Sequence, residues 1–175
     1  SAANVIPASA DCEFCIRADT MKRIEGLIDV IKLCVRNAEQ LTGAKADISW
    51  GEISAERYPN RPMCQAFKDN MATLGIEMKW PDPKAQYGSS DIGNVSIKIP
   101  TIHDYLSITD DKTIRAHTKE YADAAKSEEA QEICLKGAKG LAMTGYDILS
   151  SDGFQAEIRR FHEQQIPDFY KKKKS

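Results

Sequence analysis

The residues whose types and spacing could do chemistry lie mostly in one stretch of the second half of the chain. This stretch runs from Gly88 to Ile108 and reads GSSDIGNVSIKIPTIHDYLSI, and RAHTKEY follows shortly after it with His117 at its centre. Gly88 and Gly93 flank hydroxyl and carboxyl groups, but no Gly-Lys-Ser follows and no helix is predicted to begin there, which argues against a nucleotide-binding loop. The turn either precedes a strand or lines a substrate with its backbone.

His117 is the histidine best placed to bind a metal ion. It precedes Thr118, a good helix N-cap, and the partial positive charge at a helix start disfavours imidazolium. A metal ligand must be a neutral imidazole. The alternative is a surface histidine, or one that supports another group. His103, which follows a strand, and His162, on an amphipathic helix, have weaker claims.

Two polar residues near the N-terminus could bind a carboxylate. Arg17 is predicted near the end of a strand that follows Asn4. If residues 3–8 and 10–18 neighbour one another, a guanidinium and a carboxamide line one edge and suit a substrate carboxylate. The alternative is an exposed strand arginine with a local partner. Cys12 and Cys15 are predicted on opposite faces of the same strand, so they cannot converge on one zinc ion.

These residues must be positioned by alternating strands and helices. Hydrophobic periodicity predicts the order β, α, β, then α, β, β, α, α. Strands are predicted over residues 3–18, 46–58, 95–99 and 105–108, and helices are predicted after a cap at Asp19 or Thr20, after caps at Asn60, Thr118 and Ser127, and around Phe154, Ile158 and Phe161. Gly137 and Gly145 are expected to allow close packing against a sheet. The sequence therefore predicts an α/β fold in two pieces that meet near Pro59–Pro62.

Composition excludes several classes of function. The net charge is −2, which argues against a nucleic-acid partner, and no run of 18 apolar residues is present that could span a membrane. Five cysteines spread through patterned segments, without a signal peptide, favour a cytoplasmic location. The lysines from Lys171 to Lys174 are expected to form a solvated tail, and the alternative is a patch that binds a membrane or nucleic acid. A chain that enters strand-like sequence at once is typical of a fragment.

Several segments together resemble a known enzyme family. They are AANVIP, NRPMCQAFKDNMATLGI, the stretch from Gly88 to Ile108, AHTKEYADAA and AKGLAMTGYDIL, in this order. The chain resembles the di-zinc aminoacylase and carboxypeptidase metallopeptidases, in the branch of p-aminobenzoyl-glutamate hydrolase and β-alanyl-lysine dipeptidase. The resemblance covers nearly the whole chain, from about residue 2 to residue 150.

The resemblance implies a fold and a division into domains. In that family a catalytic α/β domain is interrupted by a smaller lid, a four-stranded sheet with two helices that commonly forms the dimer. Residues 1–60 then correspond to the later part of a two-layer α/β lid (dimerisation) domain, and residues 61–165 to the C-terminal segment of the α/β zinc-peptidase catalytic domain. Residues 166–175 form a basic tail.

The resemblance also implies roles for individual residues. His117 matches the last metal ligand of the family, Asn4 and Arg17 match lid positions that hold the carboxylate of the substrate, and Gly88, Ser89, Ser90 and Asp91 match a turn that lines the cleft. Asp91 is not proposed as a ligand. The complete enzyme would hold two zinc ions, although other divalent metals suit similar sites. The other ligands, a general-base carboxylate and a lid histidine precede these segments in the family and have no counterpart here.

The function implied by the resemblance is metal-assisted hydrolysis of the amide bond in small N-acyl amino acids or dipeptides. Metal-bound water would be the nucleophile, and a glutamate would transfer the proton. The chain alone is expected to be inactive, because it offers one metal ligand and no catalytic residue, and to need the missing N-terminal catalytic segment. A homodimer through the lid is expected. The alternatives are a non-catalytic dimerisation or interaction module and a plain structural α/β domain.

Overall fold

The computed structural model describes residue 4 and residues 6–82 and 88–171. The chain divides into two compact units, Ser1–Ile53 and Ser54–Ser175. Within the described residues the helices are α1 (Met21–Thr42), α2 (Arg61–Thr73), α3 (Ile92–Ser96), α4 (Lys119–Ala124), α5 (Glu128–Ser150), α6 (Asp152–Gln165) and α7 (Asp168–Lys171). None of these helices is long and apolar enough to cross a membrane.

The first unit contains a single long helix, α1, in its described part. Thr20 Oγ1 accepts a hydrogen bond from Arg23 N at the start of α1, and Gly43 ends it in the left-handed region at φ 72°. The sequence predicted a start cap at Asp19 or Thr20, and the cap at Thr20 is confirmed. No residue of α1 is buried, and the segments before and after it are largely exposed. This unit therefore lacks a core of its own in the described residues.

The second unit has a helical core made by α2, α5 and α6. Asn60 caps α2 through Met63 N, and Pro62 lies in its first turn, where a missing N–H costs nothing. Phe67 and Met71 are buried on the inner face of α2. Ser127 caps α5 through Ala130 N, as its sequence predicted. The predicted caps thus set the lengths of the helices that form the core.

Helices α2 and α5 approach closely because α5 carries a glycine at the contact. A Cβ at Gly140 would overlap Met71 Sδ and would lie 3.0 Å from Phe67 Cε2. Gly137 faces the Leu106 side chain, whereas nothing lies within 4 Å of a Cβ at Gly145. The predicted packing of α5 against a sheet is therefore wrong, since α5 packs against a helix.

The predicted α/β fold class is also wrong, because the described residues are helical and contain no sheet. Their pairing is limited to an isolated parallel bridge between Pro59 and Thr101. A strand is stable only when its N–H and C=O groups pair with a neighbouring strand. Alternating apolar residues in the first unit have no core to face: Phe14 is 77% exposed and Trp50 is 42% exposed.

Each predicted strand has a different outcome in the structure. The described parts of residues 3–18 and 46–58 are irregular, residues 95–99 begin inside α3, and residues 105–108 form no ladder. The assignment of residues 1–60, 61–165 and 166–175 to a lid, a catalytic segment and a basic tail stays a prediction. Residues 172–175 of that tail lie outside the described residues.

Candidate functional site

Helix α3, which begins directly after the Gly88–Asp91 turn, holds residues 55–58 in place. Asn94 Oδ1 accepts a hydrogen bond from Ala55 N at 2.8 Å, and Ser96 Oγ accepts one from Tyr58 N at 3.0 Å. A Cβ at Gly93 would overlap the Ala55 carbonyl oxygen and would lie 2.7 Å from its carbon. Glycine is therefore required at position 93 for close approach of two backbones.

The same helix is tied to the helical core. His162 Nε2 lies 2.8 Å from the Ser96 carbonyl oxygen, and because a carbonyl only accepts, the ring nitrogen donates. Ser96 Oγ donates to Gly93 O at 2.8 Å. Buried Asn60 donates through Nδ2 to Ile158 O at 3.0 Å. The second half of the GSSDIGNVS motif thus has a structural role, and the expectation that no helix begins at this turn is wrong.

The segment that α3 holds presents Arg57 to a polar network. Arg57 Nη1 donates to Tyr105 Oη at 2.8 Å and lies 3.3 Å from His103 Nδ1. Arg57 Nη2 donates to Gly88 O at 3.4 Å. The guanidinium carbon also lies 5.8 Å from the centre of the Tyr105 ring. We call Arg57, Gly88, His103 and Tyr105 the Arg57 network.

The Arg57 network contains the first residue of the predicted cleft-lining turn. Gly88 and Ser89 are exposed, and Ser90 is half-buried. Ser90 Oγ lies 3.3 Å from Asp91 Oδ1 and accepts from Ile92 N at 3.3 Å, which shapes the turn before α3. Asp91 makes no side-chain cap to α3. The role of this turn in substrate binding stays a prediction.

Sequence reasoning missed Arg57 and Tyr105. Arg57 is separated from its partners Gly88, His103 and Tyr105 by 31, 46 and 48 positions. No local motif links residues so far apart. They meet only because residues 55–58 pack against α3, and the sequence carries no local signal of that packing.

His117 lies at a helix start, where the sequence placed it. Thr118 Oγ1 caps α4 by accepting from Tyr121 N at 3.2 Å and also donates to Arg115 O at 2.8 Å. His117 is exposed and adopts φ 67°, in the left-handed region that few residues other than glycine occupy. Such conformations persist only where the surrounding structure holds them, and they are concentrated at functional sites.

A half-buried acid, Asp104, and a buried thiol, Cys64, lie beside the Arg57 network. Burial is the main cause that raises the pKa of the Asp104 carboxyl, while hydrogen bonding to Cys64 and, when the His103 ring is protonated, its positive charge act in the opposite direction. Burial and the charge of Asp104 raise the pKa of the Cys64 thiol to about 12. Asp104 Oδ2 is buried and has no hydrogen-bond partner among the described residues.

A second acidic group lies near the Arg57 network. Tyr58 Oη and Tyr170 Oη both donate to the Glu56 carboxylate, at 2.7 and 2.6 Å. Burial, followed by the hydrogen bond and charge of Glu56, raises the pKa of Tyr58. Both hydroxyls therefore act as donors that fix the carboxylate, rather than as bases.

The predicted carboxylate-binding residues lie in the first unit. Arg17 is exposed and, with the start of α1, lines a shallow groove of about 670 Å³ that also includes Asp19, Arg23 and Leu27. Arg23 Nη1 pairs with Asp19 at 3.0 Å, which leaves Arg17 outside that ion pair. Asn4 is exposed in a turn and does not line the groove. The pairing of residues 3–8 with 10–18 does not form in the described part of these segments.

The described residues do not form a complete metal site. No group of three or more His, Cys, Asp or Glu side chains among them could hold a metal ion. Cys12 and Cys15 are exposed free thiols. His117 has the chemistry of a single metal ligand.

Comparison with known proteins gives relatives of one kind. No family model matches the chain. The chain is 35% identical over 163 residues to the mouse Xaa-Arg dipeptidase, and this alignment covers 90% of the chain and 37% of the mouse protein. It is 36% identical over 149 residues to the human Xaa-Arg dipeptidase, and this alignment covers 83% of the chain and 34% of the human protein.

The matched region is a part of each relative. The chain spans a little more than a third of the length of these curated relatives. The similarity extends through both compact units and includes the stretch from Gly88 to His117 within the larger alignment. The chain is thus similar over most of its length to segments of two Xaa-Arg dipeptidases, and this similarity supports a peptidase- or amidohydrolase-type family.

Proposed function

We propose that the chain is part of a metal-dependent dipeptidase of the amidohydrolase type, in which His117 is a metal ligand. The similarity to two Xaa-Arg dipeptidases over 90% and 83% of the chain is the observation that carries this proposal. The names of these relatives point to dipeptides that end in arginine as the first substrates to test. The narrower branch, with β-alanyl-lysine dipeptidase, belongs to the same proposal.

The exposure and backbone of His117 support its role. An exposed imidazole can reach a metal ion that is held mainly by other residues, and the backbone of His117 is held in the left-handed region. When bound, zinc or a similar divalent metal would polarise the scissile carbonyl and activate water. The complete enzyme would hold two such ions, and co-ligands would come from a segment outside the region of similarity.

The remaining predicted site residues would bind and orient the substrate. Arg17 carries a charge that suits the carboxylate of a dipeptide, and Asn4 would add a neutral donor. The Gly88–Asp91 turn would line the cleft with exposed backbone groups. We propose that the 175-residue chain alone is inactive, because a catalytic zinc site takes about three protein ligands and the chain offers one. A homodimer through the lid and a cytoplasmic location stay predictions.

An interaction module is the second candidate function, and helix α1 favours it. Its apolar side chains remain uncovered in the described unit: Val30 is 56% exposed and Leu41 is 86% exposed. A helix with an exposed apolar stripe and no buried residue is suited to contact a partner. Such a module would keep this surface and would contribute nothing to hydrolysis.

A chimaera distinguishes the two functions. The matched segment of the mouse Xaa-Arg dipeptidase is replaced by this chain, and hydrolysis of alanyl-arginine is measured in zinc-buffered solution. We expect activity from the chimaera and its loss in His117→Asn, because asparagine accepts the left-handed backbone but lacks the imidazole. Lys119→Ala, an exposed neighbour in α4, is the matched control and should keep the activity.

Two outcomes of this experiment would contradict the proposal. A folded chimaera without activity would favour the interaction module. Full activity of the His117→Asn chimaera would show that the imidazole is not needed, whatever family the chain belongs to.

A further inference from the structure

The contact between Arg57 and His103 determines where the proton of His103 lies. Arg57 Nη1 is 3.3 Å from His103 Nδ1, and a guanidinium can only donate hydrogen bonds. Nδ1 must therefore accept, and the neutral ring carries its proton on Nε2. His103 is exposed, so this N–H is presented at the surface of the second unit.

Further contacts hold the His103 ring in this orientation. The ring packs against Tyr105 in a tilted arrangement, with centroids 5.0 Å apart and an interplanar angle of 31°. Tyr105 Oη in turn accepts from Arg57 at 2.8 Å. The backbone on both sides of Arg57 is fixed by α3, through Ala55 and Tyr58. The Nε2–H donor is thus set in place before any ligand arrives.

The same guanidinium joins His103 to the proposed cleft. Arg57 Nη2 donates to Gly88 O at 3.4 Å, and Gly88 begins the turn that would line the substrate. A neutral donor close to a positive charge suits an acceptor oxygen that is neutral or negative. In a dipeptide these oxygens are the amide carbonyl and the terminal carboxylate.

We propose that His103 donates a hydrogen bond from Nε2 to an acceptor oxygen of the substrate, and that Arg57 is a positioning residue that fixes the tautomer and direction of His103. This inference rests on the proposed dipeptidase function. It assigns binding to one histidine and support to one arginine. It is independent of the metal ligand His117.

The tautomer can be measured in the 175-residue chain without any activity. Ring-nitrogen chemical shifts from ¹⁵N NMR distinguish Nε2–H from Nδ1–H in neutral histidine. We expect Nε2–H for His103, and a mixture of tautomers in Arg57→Ala. Arg61→Ala is the matched control, because the Arg61 guanidinium lies 4.8 Å from the centre of a different ring, that of Trp80. An Nδ1–H tautomer in the unchanged chain would overturn the proposal.

The role in binding is measured in the chimaera. We expect His103→Leu to lower kcat/KM for alanyl-arginine about 2- to 10-fold, the range for one lost neutral hydrogen bond. His103→Gln should restore most of this loss, because its amide N–H can replace Nε2–H. Comparison with alanyl-agmatine, which lacks the carboxylate, separates the two oxygens: if His103 binds the carboxylate, the effect of His103→Leu disappears with this compound.

The outcomes separate this inference from the proposed function. Loss of activity in His117→Asn together with unchanged kcat/KM in His103→Leu would overturn the role of His103 and leave the dipeptidase proposal intact. If the chimaera does not turn over, the ring-nitrogen shifts of His103 are followed during titration with alanyl-arginine. Saturable shifts would support the contact, and their absence would overturn it.

Discussion

Replacement of Gly93 by alanine tests whether α3 holds residues 55–58 as described. The added Cβ would overlap the Ala55 carbonyl oxygen and would lie 3.1 Å from Glu56 O. Both are backbone atoms, so the clash cannot be relieved by rotation of a side chain. Helix α3 must move away from residues 55–58, which weakens the hydrogen bonds that Asn94 and Ser96 accept from Ala55 N and Tyr58 N.

The size of the effect follows from three contributions. Overpacking costs about 1–3 kcal/mol. The two weakened hydrogen bonds cost about 1 kcal/mol each. Alanine in place of a helical glycine returns about 1 kcal/mol. We therefore expect Gly93→Ala to lower the free energy of unfolding by about 2–4 kcal/mol.

Urea denaturation followed by far-ultraviolet circular dichroism measures this change. Gly145→Ala is the control, because Gly145 lies in α5 and nothing is within 4 Å of its Cβ position. This control should be more stable than the unchanged chain by about 1 kcal/mol. Equal stabilisation by both substitutions would refute the close approach of α3 and residues 55–58.

Three further predictions concern the core, a half-buried acid and a helix cap. Gly140→Ala should lower the free energy of unfolding by about 0–2 kcal/mol in the same assay, since its Cβ overlaps Met71, and a stabilised variant would contradict the packing of α2 on α5. Because the pKa of Asp104 is raised in the folded state, its contribution to stability is present at low pH and is lost as pH rises above the unfolded pKa and through the folded pKa. Asp104→Asn should flatten this fall in urea midpoints measured from pH 4 upwards, and an unchanged slope would exclude Asp104 as its source. Thr118→Ala should remove the cap of α4 at a cost of about 1 kcal/mol, seen as faster amide exchange at Tyr121, and unchanged exchange would argue against the cap.

Helix boundaries could be predicted because their signals are local. Thr20, Asn60 and Ser127 each cap the helix that follows, and Gly43 ends α1 in a left-handed conformation. A cap needs a hydroxyl or amide oxygen within three residues of the N–H that it accepts. Such signals do not depend on what the rest of the chain does.

The strands could not be predicted correctly, because the alternation of apolar and polar residues is only one of the conditions that a strand must meet. Phe14 and Ile16 have the period of a strand, but a strand also needs a partner strand and a core, and the first unit provides neither in its described residues. Val95 alternates with Ile97 in the same way. That segment instead begins in a short helix, whose Ser96 bonds to the Gly93 carbonyl and to His162.

The candidate site was predictable only where it is local. The position of His117 before a capped helix follows from Thr118, the next residue, which caps α4. The Arg57 network was not predictable, because its members meet through the packing of α3 against residues 55–58. The predicted roles of Asn4, Arg17 and the Gly88–Asp91 turn stay predictions.

The central claim, that His117 is a metal ligand of a dipeptidase-type site, is tested most directly by zinc content. The chimaera, its His117→Asn variant and the 175-residue chain are dialysed together against zinc-buffered solution, and bound metal is measured. We predict bound zinc in the chimaera, a loss of about one ion in the variant and almost none in the chain alone. Equal zinc content in the chimaera and its variant would contradict the claim, as would a tightly bound ion in the chain alone that survives His117→Asn.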